Sequence, residues 1–198
     1  EVSASFVNLE GDRIDEAIRD AQRRICDALD LDRSTLFVRE GDDLVRTHNW
    51  SRLDEPTYPT VNSIRLHFTW SLPQVLEGRV VAFSSPDEIP DENERKAALH
   101  FGTKSRISLP LSVGGQVAGV ISFASVRRSM QWPDAIVGRL ELIAQVFAGA
   151  LASRRAELAL RASEQRFRNF ADAAPVFMWH TDTNRGVTWL NRQWLEFI

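Results

Sequence analysis

The chain has 198 residues, of which 43% are hydrophobic, so it is long enough to bury a substantial core. Its 24 Lys and Arg residues and 27 Asp and Glu residues give a formal net charge of −3, which argues against direct binding to nucleic acid. The longest nearly apolar run, Ile143 to Ala152, is much shorter than the roughly 20 residues that a membrane-spanning helix needs. A single cysteine excludes an internal disulfide. We therefore expect a cytoplasmic protein with no direct membrane contact in this segment.

The first predicted element is an amphipathic helix in the segment GDRIDEAIRDAQRRICDALDLD, Gly11 to Asp32. Its apolar side chains recur at helical spacing and form one core-facing stripe, made of Ile14, Ile18, Ala21, Ile25, Ala28 and Leu29. Cys26 lies about 100° from Ile25 on this helix, and we interpret it as a small half-buried residue. The next segments, STLFVRE and LVRTHNW, flank the turn Gly41-Asp42-Asp43 and predict an antiparallel hairpin.

The middle of the chain contains several short predicted elements. A polar stretch with two prolines, from Arg52 to Ser63, predicts a loop. A short helix is expected from Trp70 to Glu77, then a strand from Val80 to Ser85, and then a helix that ends at Gly102. Together these elements form a crossing region between the first hairpin and a second one.

The second hairpin is predicted from Ser105 to Ser125. The Gly114-Gly115 pair between its strands supplies the positive φ angles that a type I′ turn requires. One parity of the strands carries mostly bulky side chains, namely Ile107, Leu109, Leu111, Val117, Ile121 and Phe123. The other parity carries small ones, namely Ser108, Pro110, Ala118, Ser122 and Ala124. A face of small residues permits either the close approach of a helix or an open cavity, so parity alone leaves open which face meets the helices.

A long helix is predicted to start just after Trp132, because Pro133 suits the first helical position. Apolar residues then step by three and four along it, and no Gly-Pro break occurs before Pro175. Beyond Arg154 the stripe thins to Ala and Leu among charged residues, which is too little apolar surface to pack on a globular core. We therefore expect the later part of the helix to be a connector that pairs with a second helix.

Four stretches of the sequence occur in an order that resembles a bacterial GAF domain of the kind found in sensor histidine kinases. They are DLDRSTLFVRE, the element from Trp70 to Pro73, FGTKSRISLPLSVGGQVAGVISFAS and QWPDAIVGRLELIAQVFAGALASRRAE, and the match covers about Ser3 to Glu157. The following segment, RASEQRFRNFADAAPVFMWHTDTNRGVTWLNRQWLEFI, resembles the start of a PAS domain, of which two strands and one short helix are present. The resemblance divides the chain into a GAF domain at 1–157, a helical linker at 158–174 that continues its last helix, and a truncated PAS start at 175–198.

The resemblance implies an α+β fold. A central antiparallel sheet would have helices on one face and a small-molecule pocket on the other, and a long C-terminal connector helix would follow. The short crossing elements would form the roof of the pocket. The ligand-binding candidates are therefore aromatic residues and one histidine from these elements: Trp50, Phe68, Trp70, Phe83, His100 and Phe101.

The sequence departs from those GAF relatives whose ligands or chemistry can be recognised from motifs. Cyclic-nucleotide-binding members carry an Asn-Lys pair after the last hairpin, where this chain has Ala124-Ser125-Val126. Bilin-binding members attach their chromophore through a cysteine near the pocket, whereas Cys26 lies on the first helix. Methionine sulfoxide reductases of this type use several cysteines. We therefore disfavour cyclic nucleotide and covalent bilin and leave the cofactor unknown. We expect no metal site, because metal-ligand spacing is missing among His48, His67, His100 and His180.

No nucleophile or acid–base pair can be recognised in the sequence, so we expect no enzymatic activity from this segment. The resemblance implies instead a sensory module that binds an unknown small molecule and forms a homodimer through its C-terminal helix. Its output would be a histidine kinase domain downstream in the same chain, as in two-component signal transduction. A different output, such as a diguanylate cyclase or a transcription activator, is the alternative.

Overall fold

The computed structural model describes residues 11–53, 64–183 and 186–198. The loop predicted after the first hairpin lies almost entirely outside these residues. The chain divides into two compact units, Glu1–Ala152 and Ser153–Ile198.

The first unit alternates helices with strands in the predicted order. Its elements are α1 (Gly11–Leu29), β1 (Arg33–Glu40), β2 (Asp43–Ser51), α2 (Ile64–His67), α3 (Ser71–Leu76), β3 (Val81–Phe83), a 3₁₀ turn (Pro86–Glu88), α4 (Glu92–His100), β4 (Ser105–Val113), β5 (Gln116–Ser125) and the start of α5 (Asp134–Ala173). The four-residue helix α2 is missing from the sequence prediction, because a single helical turn is too short to produce a periodic pattern.

The five strands form one antiparallel sheet in the order β2-β1-β5-β4-β3. The strand β5 is central, and its Ile121 pairs with Leu36 of β1 on one side and with Leu109 of β4 on the other. Gly114 and Gly115 join β4 to β5 with φ angles of 58° and 80°, as the predicted turn requires. The predicted α+β fold with a central antiparallel sheet is confirmed.

The two faces of the sheet pack differently. Bulky side chains of β4 and β5, including Ile107, Ile121 and Phe123, share one buried cluster with Ile18 of α1 and Phe147 of α5. The small side chains of the same strands lie on the opposite face, beneath α2 and α3. The question that parity left open is therefore answered: the bulky face meets the long helices and the small face borders a cavity.

A β-bulge in β2 changes which of its side chains share a face. Consecutive residues of β1 pair with His48 and Arg46, so Thr47 between them is an extra residue. Beyond the bulge the alternation of side chains is reversed. His48 and Trp50 therefore turn to the bulky face that packs against α1 and α5, which we call the helix-bearing face. There the Nε2 atom of His48 lies 2.9 Å from Oδ1 of Asp15 on α1, and Trp50 packs against the core cluster.

A second bulge lies in β5. Consecutive residues of β4 pair with Gly119 and Val117, which leaves Ala118 as the extra residue. Val117 therefore leaves the bulky face on which simple alternation places it. Gly119 lies so close to β1 that a Cβ atom built on it would stand 2.4 Å from the carbonyl oxygen of Phe37. This close approach between the two backbones requires glycine.

Asp32 ties the beginning of β1 to the loop that follows β5. Its buried carboxylate accepts hydrogen bonds from the backbone N–H groups of Val126 and Arg127, at 2.8 and 3.0 Å, and from Nε of Arg127 at 2.5 Å. Burial by itself raises the pKa of this carboxyl group, but these hydrogen bonds and the charge of Arg127 outweigh burial and lower the pKa. The ionised carboxylate is therefore the form that holds the loop.

The second unit contains the rest of α5 and a small hairpin. Its later elements are β6 (Trp179–Thr181), its antiparallel partner β7 (Val187–Leu190) and α6 (Arg192–Phe197). Asn191 is fully buried and its side chain accepts from the N–H of Met178 at 3.0 Å. It also donates to the carbonyl oxygens of Ala171 and Val176 at 2.8 and 2.9 Å. The segment has the two strands and short helix that the sequence predicts, and its assignment to a PAS domain stays a prediction.

The helix α5 is long and apolar enough to cross a membrane by length and composition, with a mean hydropathy of 1.6 over 18 residues. This criterion alone is weak, because core helices of globular domains also meet it. In the first unit α5 contributes Leu140, Ala144, Phe147 and Ala148 to the buried cluster against the sheet. The buried part of the apolar run is therefore explained by packing in the core of the first unit.

Candidate ligand cavity and its buried ion pair

A small cavity lies between the small-residue face of the sheet and a roof formed by α2 and α3. It is lined by seven apolar residues, three serines and one charged residue: Phe37, Leu44, Ile64, Phe68, Leu72, Val75 and Val120, then Ser71, Ser108 and Ser122, and finally Arg106. Its volume is about 30 Å³, which is room for one or two water molecules. Pockets that hold organic ligands measure about 300 to 1,000 Å³, so the roof side chains nearly fill the space in this structure.

Arg106 and Glu94 form a buried ion pair at the cavity wall. Arg106 projects from β4 and is 5% exposed, while Glu94 of α4 is completely buried. Nη2 of Arg106 donates to Oε1 of Glu94 and, at 2.8 Å, to the hydroxyl oxygen of Ser71. Two buried charges are tolerated only when they are paired and also hydrogen-bonded, which explains why the carboxylate has further donors around it.

The carboxylate of Glu94 also holds the roof of the cavity. Its Oε2 accepts from the backbone N–H groups of Trp70 and Ser71, both at 2.8 Å, and its Oε1 accepts from the Ser71 hydroxyl. Nearby, Asp91 accepts from the hydroxyl of Thr69 and caps α4 by accepting from the N–H of Glu94 at 2.8 Å. The carboxylates of Glu94 and of the capping residue Asp91 therefore position the start of α3.

The guanidinium group of Arg106 contacts two aromatic rings. Its central carbon lies 4.5 Å from the ring centroid of Phe68 and 5.1 Å from that of Phe83, within the range of cation–π attraction. Within the described residues Nη2 makes both hydrogen bonds of this group, so Nε and Nη1 have no acceptor among them. The cavity wall thus carries hydrogen-bond donors whose positive charge is already balanced.

Three of the six predicted site residues lie at this cavity or beside it. Phe68 lines the cavity, and fully buried Phe83 contacts Arg106. Trp70 packs against two small apolar clusters, one that contains Val75 and one that contains Ile89. The rings of Trp70 and Phe83 mainly fill the roof and the core around it.

The other three predicted residues lie elsewhere. Trp50 packs against the helix-bearing face, because the β2 bulge turns it there. His100 is exposed at the end of α4, and half-buried Phe101 makes edge contacts with the rings of His100 and His67 at 5.0 and 5.5 Å. These three are not among the residues that line the cavity, and a ligand-binding role for any of the six stays a prediction.

Sequence reasoning missed Arg106, Glu94 and Ser71. One signal was present, because Arg106 has the same parity in its strand as Ser108 and Pro110 and so places a charge on the small-residue face. A charged side chain inside a strand whose two faces are both covered requires a buried partner. The partner comes from a different element, and its identity follows only from the folded structure.

Cys26 lies in the core cluster on the helix-bearing face, across the sheet from the cavity. Burial raises the pKa of its thiol, which makes it an unreactive thiol at neutral pH. Among residues 11–53, 64–183 and 186–198, no group of His, Cys, Asp and Glu side chains is arranged to hold a metal ion.

A family model described as "GAF domain" matches residues 13–151 of the chain. A comparison with curated proteins finds no match. Among solved structures, the fold is similar to a domain described as belonging to a two-component sensor histidine kinase of Sinorhizobium meliloti 1021. The two share 20% identity with a TM-score of 0.59, over 75% of this chain and 97% of that one.

Two further solved structures have similar folds and belong to proteins with different activities. The blue-light absorbing form of the PixJ GAF domain of Thermosynechococcus elongatus has 14% identity and a TM-score of 0.59, over 80% of this chain and 96% of that one. The free methionine-R-sulfoxide reductase of Neisseria meningitidis, in complex with its substrate, has 17% identity and a TM-score of 0.59, over 79% and 87%. At such identities the likeness concerns the fold alone.

Proposed function

The chain belongs to the GAF domain family over residues 13–151, and on that basis we propose that it is a sensory and dimerisation module of a signal-transduction protein. It binds a small, largely apolar molecule between the sheet and the roof. It passes the bound state through α5 to a histidine kinase domain farther along the chain, in a cytoplasmic two-component system. Residues 175–198 are the first part of a PAS domain that lies between the GAF domain and the kinase domain.

The observation that carries this proposal is the asymmetry of the sheet. One face is packed against the long helices α1 and α5. Among the described residues, the helices that roof the cavity on the other face are the short α2 and α3, of four and six residues, and the sheet carries small side chains beneath them. Such short helices contain few internal hydrogen bonds and can shift at lower free energy than a packed core. A ligand can therefore be admitted by moving the roof while the core stays intact.

The polar side chains of the cavity wall favour binding rather than catalysis. The carboxylate of Glu94 accepts four hydrogen bonds, and the hydroxyl of Ser71 is held between Glu94 and Arg106. A catalytic nucleophile needs a base that is free to take its proton. Ser71, the possible nucleophile, and Glu94, the possible base, both use their side chains to hold the roof in place.

The later part of α5 supports association with a second copy of the chain. Steps of four and three residues connect Ala156, Leu160, Ser163, Phe167 and Phe170, which is the spacing of a coiled-coil seam. The large members of this set, Leu160, Phe167 and Phe170, are exposed. Leu158 is also exposed but lies two residues from Leu160, about 200° around the helix and outside the seam.

Two matched substitutions test the dimer. Leu160→Glu places a charge in the seam and should shift the protein from dimer to monomer in multi-angle light scattering at tens of micromolar. Leu158→Glu adds the same charge to the same helix outside the seam and should leave the dimer unchanged. A monomeric wild-type protein, or equal masses for the two variants, would contradict the proposed interface.

A further inference from the structure

We infer that the cavity selects neutral molecules that carry a carbonyl oxygen and rejects carboxylates of the same shape. This inference rests on the proposed function, because it takes the cavity as the ligand site. It concerns the chemical class of the ligand, and it runs against the usual expectation that a buried arginine recruits an anion. Three observations lead to it.

The first observation is the charge balance of the site. Arg106 is the charged residue among those that line the cavity, and its charge is already matched by Glu94. A carboxylate entering the cavity would therefore add a second negative charge beside that of Glu94, with no further cation among the lining residues to balance it. A neutral ligand leaves the charge balance as it is.

The second observation is the geometry of the guanidinium group. A carboxylate binds arginine most strongly through two parallel hydrogen bonds, and each such pair on a guanidinium edge includes Nη2 together with Nε or Nη1. Here Nη2 is engaged by Glu94 and Ser71. Glu94 cannot readily release it, because the same carboxylate holds the backbone of Trp70 and Ser71. The donors left for a ligand, Nε and Nη1, can each make one bond to a single acceptor oxygen.

The third observation is the composition of the rest of the wall. Apart from Arg106 and Ser71, the polar groups are the uncharged hydroxyls of Ser108 and Ser122. The Ser122 hydroxyl donates to the carbonyl oxygen of Thr35 at 3.5 Å and can still accept a hydrogen bond. The seven other lining residues are apolar, and half-buried Phe68 lies over the guanidinium group. The site therefore fits a compact apolar body with one carbonyl oxygen directed at Arg106. The small volume of the cavity requires Phe68 and the roof to move outward as the ligand enters.

The inference is tested with three probes of nearly equal shape, namely acetophenone, benzamide and benzoate, titrated into the 198-residue protein at pH 7. Methyl-labelled NMR spectra give the dissociation constants, and shifts of the methyl signals of Leu72, Val75 and Val120 locate the binding site. The two neutral probes should bind about tenfold or more tightly than benzoate, because only benzoate carries an uncompensated charge into the cavity.

The variant Glu94→Gln examines the cause of this preference. Its side-chain oxygen can still accept from the roof backbone, but the charge of Arg106 is left without a partner. Benzoate should then gain at least tenfold relative to benzamide. If this variant does not fold, the order of affinities in the wild-type protein still decides the question.

A second pair of variants shows that binding occurs in the cavity. Ser122→Leu fills the cavity from the sheet side and should abolish the methyl shifts. Ser112→Leu, at an exposed position of the same hairpin, should leave them unchanged. Benzoate binding in the cavity as tightly as benzamide would overturn the inference and leave the proposed ligand function standing. Methyl signals unaffected by all three probes at millimolar concentration would overturn both.

Discussion

Replacing Arg106 by methionine should destabilise the first unit strongly, because it leaves the carboxylate of Glu94 buried without its cation. Removing one partner of a buried ion pair costs about 3–5 kcal/mol. Glu94 still accepts from three donors, the N–H groups of Trp70 and Ser71 and the Ser71 hydroxyl. The cost of leaving its carboxylate without a cation therefore lies at the lower end of this range. The lost cation–π contacts with two rings add about 1 kcal/mol, and methionine fills a similar volume. We expect a loss of about 4 kcal/mol in the free energy of unfolding.

The double variant Glu94→Gln/Arg106→Met should be more stable than Arg106→Met alone. It contains no buried charge at this position, and the glutamine oxygen can still accept from the backbone of the roof. We expect it to recover about 2 kcal/mol, although it carries one substitution more.

Native-state hydrogen exchange is the suitable assay, since the amides of β4 and β5 report on the first unit separately from the second. The free energies of the most protected amides in the four proteins of the cycle give the coupling between the two residues. A loss below about 1 kcal/mol for Arg106→Met, or a double variant as unstable as the sum of the singles, would refute the assigned role of the pair.

Three further changes test other parts of the fold. Gly119→Ala should lower the free energy of unfolding by about 1–3 kcal/mol in urea denaturation, because its Cβ would meet a backbone carbonyl of β1. Gly138→Ala on α5 is the control. A Cβ there meets nothing within 4 Å, so this variant should be neutral or stabilising. Asp32→Asn should lower the Tm at pH 7 by removing an ionised acceptor of Arg127. Because the folded-state pKa of Asp32 is lowered, its contribution is present above the unfolded pKa of about 3.9 and lost as the pH falls, so the Tm difference from wild type should shrink below about pH 4. If the full-length protein has the proposed kinase domain, inserting one to seven residues between positions 155 and 163 should change its activity with helical phase, each residue adding about 100° and seven restoring the seam. Output that is the same for every insertion would show that α5 is a passive tether.

Most of the secondary structure could be predicted because its signals are local. Gly114 and Gly115 specify their turn by backbone conformation alone. The apolar residues of α1 and α5 recur every three or four positions, and this spacing by itself predicts a helix. The orientation of the sheet could not be predicted in this way. Whether the small residues around Ser122 faced a helix or a cavity depended on where α1 and α5 packed, which is a property of the whole chain.

The face on which Trp50 lies could not be predicted for a different physical reason. A single extra residue, Thr47, reverses the alternation of β2 and has no signature of its own in the sequence. Leu44, before the bulge, lines the cavity, while Trp50, beyond it, belongs to the other face. A pattern of period two cannot reveal a break in its own period.

The seam on α5 shows a similar effect on a helix. The core-facing stripe of α5 thins out in the connector, whereas the exposed apolar residues Leu160, Phe167 and Phe170 lie on a different side of the helix. Which side of a helix is left uncovered is known only when the residues that cover the other side are known. The sequence contains the spacing of the seam residues, but it does not show that their side of the helix is the exposed one.

The central strand β5 places the cavity wall and the packing of α5 one residue apart. Ile121 belongs to the same buried cluster as Phe147 of α5, and the next residue, Ser122, is part of the cavity wall. Consecutive Cα atoms are about 3.8 Å apart, so a displacement of this backbone on the cavity side also displaces the packing against α5. If the proposed ligand acts on α5, the displacement crosses the thickness of one strand and needs no relay of intermediate side chains.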